Sequence, residues 1–321
     1  MFCLQVARVF IVFSTSFIVA NGQSFTEIDD SECVVNKSQN VDVSQIQVHF
    51  YDPILKVHGF VDTAAERIAP FLDIKRIKRL VVFVPGYRSF TGGDTERWAM
   101  EAFLKHSNTS LIIIDYSYYT REPINKKNYL EAVKNSYSIG KAIGEFLSKL
   151  QKYGYPSSNI HCFGHSFGGQ LLSFISEVYT ENTREKLWRV TGIDPSGTCF
   201  EGSSIDNQIR SGIGDYVEVY HCSKYGTSNE VGDIDVMFNQ GNDNQPDCEG
   251  GKLFSEVGFV DATVCSHVMC AAFWLNSVDC KNCYKAFDSY KGYLKGGDGQ
   301  TVVGYQSSGD AFGVFYASTN I

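Results

Sequence analysis

One serine held between two glycines constrains this chain more than any other feature. The run Gly164-His165-Ser166-Phe167-Gly168 follows the apolar stretch Ile160-His161-Cys162-Phe163. It precedes Gln170 to Tyr179, whose Leu171, Leu172, Phe174, Ile175 and Val178 suit a helix with one buried face. Gly-x-Ser-x-Gly between a strand and a helix allows a strained turn that lifts the serine clear of a sheet. The pentapeptide by itself is common, and its setting makes it specific. A plainer reading, in which Gly164, Gly168 and Gly169 serve close helix packing, fits the same two elements.

Further continuous apolar runs, Leu80 to Val84, Leu111 to Ile114, Trp188 to Ile193 and Tyr216 to His221, read as strands buried on both faces. Between the second of these and the serine motif, Leu130, Val133, Tyr137, Ile143, Leu147 and Leu150 recur at helical spacing, with Gly154 and Pro156 as stop signals. Strands alternating with helices predict an α/β fold, a central mostly parallel sheet with helices on both faces. The 43% hydrophobic content is ample for one packed core, and no repeat or Pro-rich linker divides the chain.

A serine hydroxyl is a weak nucleophile, so it needs a base and a site for the oxyanion formed on attack. Where a serine sits on such a turn, the acid and then the histidine follow it in the chain. Asp194, in Thr191-Gly192-Ile193-Asp194-Pro195, ends a buried run and takes the acid's place, although Asp before Pro is also an ordinary turn starter. Two histidines follow it. His267, in Val264-Cys265-Ser266-His267-Val268-Met269-Cys270, is the stronger candidate, on an expected loop pinned by cysteines. His221 ends a strand and is the alternative. His165 is excluded as the base because side chains adjacent on the turn diverge. The backbone N–H of Phe167 and that of Tyr87, after the run ending Val84-Pro85-Gly86, are the candidate oxyanion donors.

Residues 1–22 carry Arg8 ahead of an apolar stretch from Val9 to Ala20, the layout of a secretory signal peptide. The stretch is short for a spanning helix, and nothing later is long and apolar enough. The expectation is a secreted chain without a transmembrane segment, whose mature form is a single domain over 23–321. Ten cysteines suit an oxidising compartment, and removing Cys3 leaves an odd number. Asn36 and Asn108 head N-glycosylation patterns. A net charge of −8 argues against nucleic acid as a partner.

Taken together, Pro85-Gly86-Tyr87, Asp115-Tyr116-Ser117, Gly164 to Gly169, Gly192 to Gly197, Val219-Tyr220-His221, Gly232 to Asp235 and Cys265-Ser266-His267 resemble the pancreatic lipase family of the α/β-hydrolase fold. That family comprises animal neutral lipases and phospholipases A1. The resemblance implies nucleophile, acid and base roles for Ser166, Asp194 and His267. It also implies a lipid ester substrate at a lipid–water interface, and a lid between paired Cys248 and Cys265. Such a short lid favours a phospholipid slightly over a triglyceride.

The same resemblance marks departures. The chain as read leaves no room for a colipase-binding domain, and Pro85 and Met269 stand where the family has His and Arg. Yolk-protein-like relatives that bind lipid without turnover are the alternative function. No cofactor or metal is expected. Cys280-Lys281-Asn282-Cys283 lacks a second cysteine pair at zinc spacing, and Asp233 to Asp247, lacking calcium-ligand spacing, reads as a solvated loop near the lid.

Overall fold

The computed structural model describes residues 28–241, 245–280 and 284–319. The leader assigned to residues 1–22 lies outside them, as does Cys283. In chain order the strands are β1 (Gln47–Asp52), β2 (Leu55–Phe60), β3 (Arg79–Val84), β4 (Thr109–Asp115), β5 (Ile160–His165), β6 (Arg189–Ile193), β7 (Val217–His221), β8 (Ile234–Phe238), β9 (Lys252–Phe254), β10 (Gly258–Val260), β11 (Tyr284–Phe287), β12 (Thr301–Val303) and β13 (Gly313–Ala317). The helices are α1 (Ala64–Ile68), α2 (Asp94–Phe103), α3 (Lys126–Lys152), α4 (Phe167–Thr183), α5 (Ala262–Asn276) and α6 (Tyr290–Lys295).

The continuous apolar runs become central strands because both of their faces are covered. Along β3, Leu80, Val82 and Val84 join one core with α1, α3 and α4, through Ile68, Val133, Ile143, Leu171 and Ile175. The alternate residues Val81 and Phe83 join a second core with α2 and α5, through Phe103, Phe273 and Trp274. The period of two along each strand thus divides the interior into two layers.

Eleven strands form one sheet in the order β12-β11-β13-β8-β7-β6-β5-β3-β4-β1-β2, and β9 pairs with β10 in a separate hairpin. From β13 to β4 the neighbours run parallel. The edge pairs β1–β2 and β11–β12 are antiparallel. This is the α/β-hydrolase architecture. Its register aligns Val84 with Gly164, His165 with Ile193, and Ile193 with Tyr220. The carboxyl ends of β3, β5, β6 and β7 therefore open at one edge, where parallel α/β sheets place their ligands.

Disulfides join Cys33 to Cys199, Cys222 to Cys270 and Cys248 to Cys265. Cys280 is disulfide-bonded as well, which removes the thiolate a zinc site would need. Among the described residues the free thiol is Cys162, buried in β5, and burial pushes its titration far up.

Two local expectations are corrected. The stretch from Asp233 leads into β8, paired in parallel with both β7 and β13, because Val236 and Phe238 fill the core while Asp235 bonds the buried His221. His267 sits on a helix rather than a loop. Asp261 caps the first turn of α5 by accepting from the Val264 N–H at 3.0 Å, so the helix starts ahead of the histidine. No described helix is long and apolar enough to cross a membrane.

Candidate active site

Ser166 occupies the turn between β5 and α4 with φ 56° and ψ −124°, backbone angles that L-residues rarely adopt. The flanking glycines permit it by close approach. A Cβ at Gly164 would lie 2.4 Å from the Gly168 carbonyl oxygen, and one at Gly168 would lie 2.1 Å from that of Pro85. The turn is thereby packed against the segment after β3. Gly86 touches the same place, since a Cβ built on it would meet His165 Nδ1 and Ser166 Cβ, each at 3.2 Å. Phe167 is the first residue of α4, so its N–H has no acceptor within the helix.

The strand ends bring three side chains into a line. His267 Nε2 lies 2.7 Å from Ser166 Oγ, and His267 Nδ1 lies 2.6 Å from Asp194 Oδ2. Asp194 is fully buried at the end of β6. Burial pushes its carboxyl up, but the hydrogen bonds from His267, Ser223 and the Cys222 N–H outweigh burial and hold it below the usual carboxylate range. Cys222 N donates to Oδ1 at 2.7 Å, and Ser223 Oγ donates to Oδ2 at 2.5 Å. With Asp194 ionised, the neutral imidazole carries its proton on Nδ1 and presents Nε2 to the serine as an acceptor. That arrangement can take a proton from Ser166 Oγ and stabilise the imidazolium that results.

Three partners of this site escaped sequence reasoning. Ser223 follows β7 and also lies 3.3 Å from His267 Nδ1. Cys222 is tied to Cys270 on α5, which links the loop supporting Asp194 to the helix bearing His267. His165 bonds the His267 main chain instead of its ring. The pattern offered no signal for Ser223, whereas a histidine inside the serine motif was visible without its partner.

His221 takes no part in this line. It is buried, with Nδ1 2.8 Å from the Thr227 carbonyl and Nε2 2.8 Å from Asp235 Oδ1. Burial pushes its titration down, and the hydrogen bond and charge of Asp235 outweigh that and raise it. Asp194 also lies with the sulfurs of Cys222 and Cys270 in one group of ligand-type atoms within 4.8 Å of one another. Those two sulfurs are bonded to each other and the carboxylate faces His267, so the group does not fit a metal.

A cavity of about 620 Å³ opens onto Ser166 and His267. Ile124, Val257, Val260, Val264 and Val268 give it an apolar wall, and Tyr87 and Tyr129 line it beside the serine turn. The Tyr87 ring packs edge-on against Phe167 at 6.3 Å, and burial pushes its phenol up to about 12. The hairpin β9–β10, enclosed by the Cys248–Cys265 disulfide, closes one side. Its Glu256 accepts from the Thr95 N–H at 2.9 Å, and its Ser255 exchanges hydrogen bonds with Asp94, so the hairpin is fastened to the start of α2.

The family model described as Lipase matches residues 25–298. The chain belongs to the lipase family. Among relatives of this lipase-family chain, phospholipase A1 member A of Rattus norvegicus is 28% identical over 222 residues, 67% of this chain and 45% of that protein. Phospholipase A1 of Vespa velutina is 28% identical over 206 residues, 62% of this chain and 65% of that protein. Phospholipase A1 of Vespula vulgaris is 30% identical over 205 residues, 62% of this chain and 58% of that protein. The matched segment thus spans 45% to 65% of the length of these relatives. A phospholipase/carboxylesterase structure from Dyadobacter fermentans is 14% identical, covering 73% of this chain and 85% of that one, with a TM-score of 0.36.

Proposed function

We infer that this lipase-family chain is a secreted serine hydrolase that cleaves carboxylic esters of lipids, with a slight preference for phospholipid over triglyceride. The observation that carries the reading is the unbroken hydrogen-bonded line Ser166, His267, Asp194, with Ser166 and His267 on the wall of an apolar cavity. In this mechanism His267 Nε2 takes the Ser166 proton as Oγ attacks the ester carbonyl. The N–H groups of Phe167 and Tyr87 hold the oxyanion, Asp194 steadies the imidazolium, and His267 returns the proton to the departing alcohol. Water, deprotonated by the same histidine, then frees the fatty acid.

Residues 1–22 act as the leader and 23–321 as one catalytic domain. Secretion agrees with the disulfides, which persist in oxidising compartments. Asn108 is exposed in the turn before β4, and Asn36 is half-buried in a turn that it stabilises, so Asn108 is the more open glycosylation site. The short disulfide-closed hairpin supports the phospholipid preference, because it leaves room beside Ser166 for a polar headgroup.

The test is covalent labelling of the purified chain by a fluorescent organophosphonate, run beside fatty-acid release from matched phospholipid and triglyceride dispersions. Labelling of the native protein and none of Ser166→Ala is the expected result. Absence of both labelling and release, with lipid still bound, would replace this reading with the lipid-binding alternative.

A further inference from the structure

Arg88 follows the Tyr87 N–H directly and lines the cavity that holds Ser166. It is the one lysine or arginine among the described lining residues, and it adopts φ 67°, a left-handed conformation that arginine seldom takes. Arg76, Arg97, Arg189 and Arg210 each face a carboxylate. Arg88 has no such ion-pair partner among the described residues. The two carboxylates that line the cavity are engaged elsewhere. Glu256 accepts from Thr95 and Ser255, and Asp261 caps α5.

Arg88 is a half-buried residue, and a guanidinium without an ion-pair partner is a poor neighbour for a wholly neutral ester. Its planar fork matches two oxygens of one anionic group, and phosphate fits that geometry. In a glycerophospholipid the ester under attack and the phosphodiester are separated by a glycerol backbone no longer than an extended side chain. The donor at Tyr87 and the guanidinium at Arg88 come from adjacent residues.

Resting on the hydrolase reading above, we propose that Arg88 binds the phosphodiester of a glycerophospholipid whose acyl ester lies against Ser166, and so sets the preference for phospholipid over neutral glyceride. The apolar wall from Val257 to Val268 takes the acyl chain, and the phosphate sits on the Arg88 side.

The experiment compares the native chain with Arg88→Met, which keeps side-chain length without charge, and with Arg88→Lys. Each is assayed on phosphatidylcholine and on diacylglycerol of identical acyl chains in the same neutral detergent micelles, and on a soluble nitrophenyl ester. For Arg88→Met, the phosphatidylcholine-to-diacylglycerol ratio of kcat/KM falls about tenfold or more, mainly through KM on phosphatidylcholine, as loss of a charge-assisted hydrogen bond requires. Arg88→Lys retains some of the ratio, since a point charge remains. An unchanged ratio, or an equal loss on all three esters, would overturn the assignment while the hydrolase reading stood. A native chain inert toward every ester and toward the organophosphonate would bring down that reading, and the role of Arg88 with it.

Discussion

His165 donates from Nε2 to the main-chain carbonyl of His267 at 2.9 Å, and the two imidazole rings lie 4.8 Å apart. A carbonyl accepts only, so the proton of His165 is on Nε2. Its Nδ1 is buried without a hydrogen-bond partner among the described residues. Burial, reinforced by the charge of His267, pushes His165 down to about 3, which keeps it neutral near neutral pH. The residue before Ser166 thus holds the helix that carries His267.

His165→Phe should lower kcat about tenfold or more with little change in KM, and His165→Gln, which retains a donor, should restore some of it. A loss of stability with kcat intact would make the contact merely structural. The native pKa lies below the ordinary 6.5, so this histidine's contribution to stability is complete above pH 6.5 and is lost as pH falls toward about 3. The unfolding temperature of His165→Gln should therefore fall less steeply over that window than that of the native chain.

Ser223 and Cys222 hold Asp194 from the loop after β7. Replacing Ser223 by alanine leaves the carboxylate one donor short in a fully buried place. The expected result is a kcat about tenfold lower on a soluble ester with KM nearly constant, checked by steady-state kinetics. A rise in KM with kcat unaffected would place Ser223 in substrate binding instead.

Glu96 is buried in α2, and its carboxyl is pushed up to about 8, chiefly by burial, against the hydrogen bond from the Gly92 N–H. A carboxyl raised in the folded state favours folding most below its ordinary 4.5, and that advantage is lost as pH rises through about 8. Glu96→Gln should accordingly be more stable than the native chain at alkaline pH, by about 1 kcal/mol or more, and lose that margin in acid. Thermal unfolding at several pH values checks this, and an offset that stayed constant with pH would contradict the titration.

Glu256 fastens the hairpin inside the Cys248–Cys265 loop to Thr95, which is itself buried. Glu256→Ala leaves those donors unsatisfied, a cost of about 1 to 3 kcal/mol, and the hairpin loses its hold on α2. Limited proteolysis should then cut between residues 248 and 265 faster than in the native chain. The fragments must be read after reduction, because the disulfide otherwise keeps them joined. An unchanged cutting rate would show that the apolar contacts of the buried Phe254 suffice to hold the hairpin.

Local patterns in the sequence determined the layered fold. Unbroken apolar runs at Leu80, Leu111 and Ile160 require covered faces, helical spacing from Leu130 to Leu150 supplies a cover, and glycines around Ser166 permit one kind of turn. The place of Asp194 at a strand end was readable for the same reason, because a strand end and a following proline are marks within a few residues. The start of α5 was readable too, in Asp261 capping Val264, but the cysteines around His267 suggested a loop instead. The acidic content after Asp233 hid β8 because Asp235 is satisfied by His221 and by the N–H groups of Val231 and Gly232, partners that composition does not show.

Which partners the two histidines after Asp194 meet is set by the tertiary structure. His267 reaches Ser166 across 101 residues, while His221 is committed to Asp235. It also decided that His165 holds His267, that Glu256 holds Thr95, and that Cys162 is left without a disulfide partner among the described residues. Periodicity and caps act within a turn or two of chain and leave a trace there. Which distant side chains meet is set by how strands and helices pack, and that is written across the whole sequence at once.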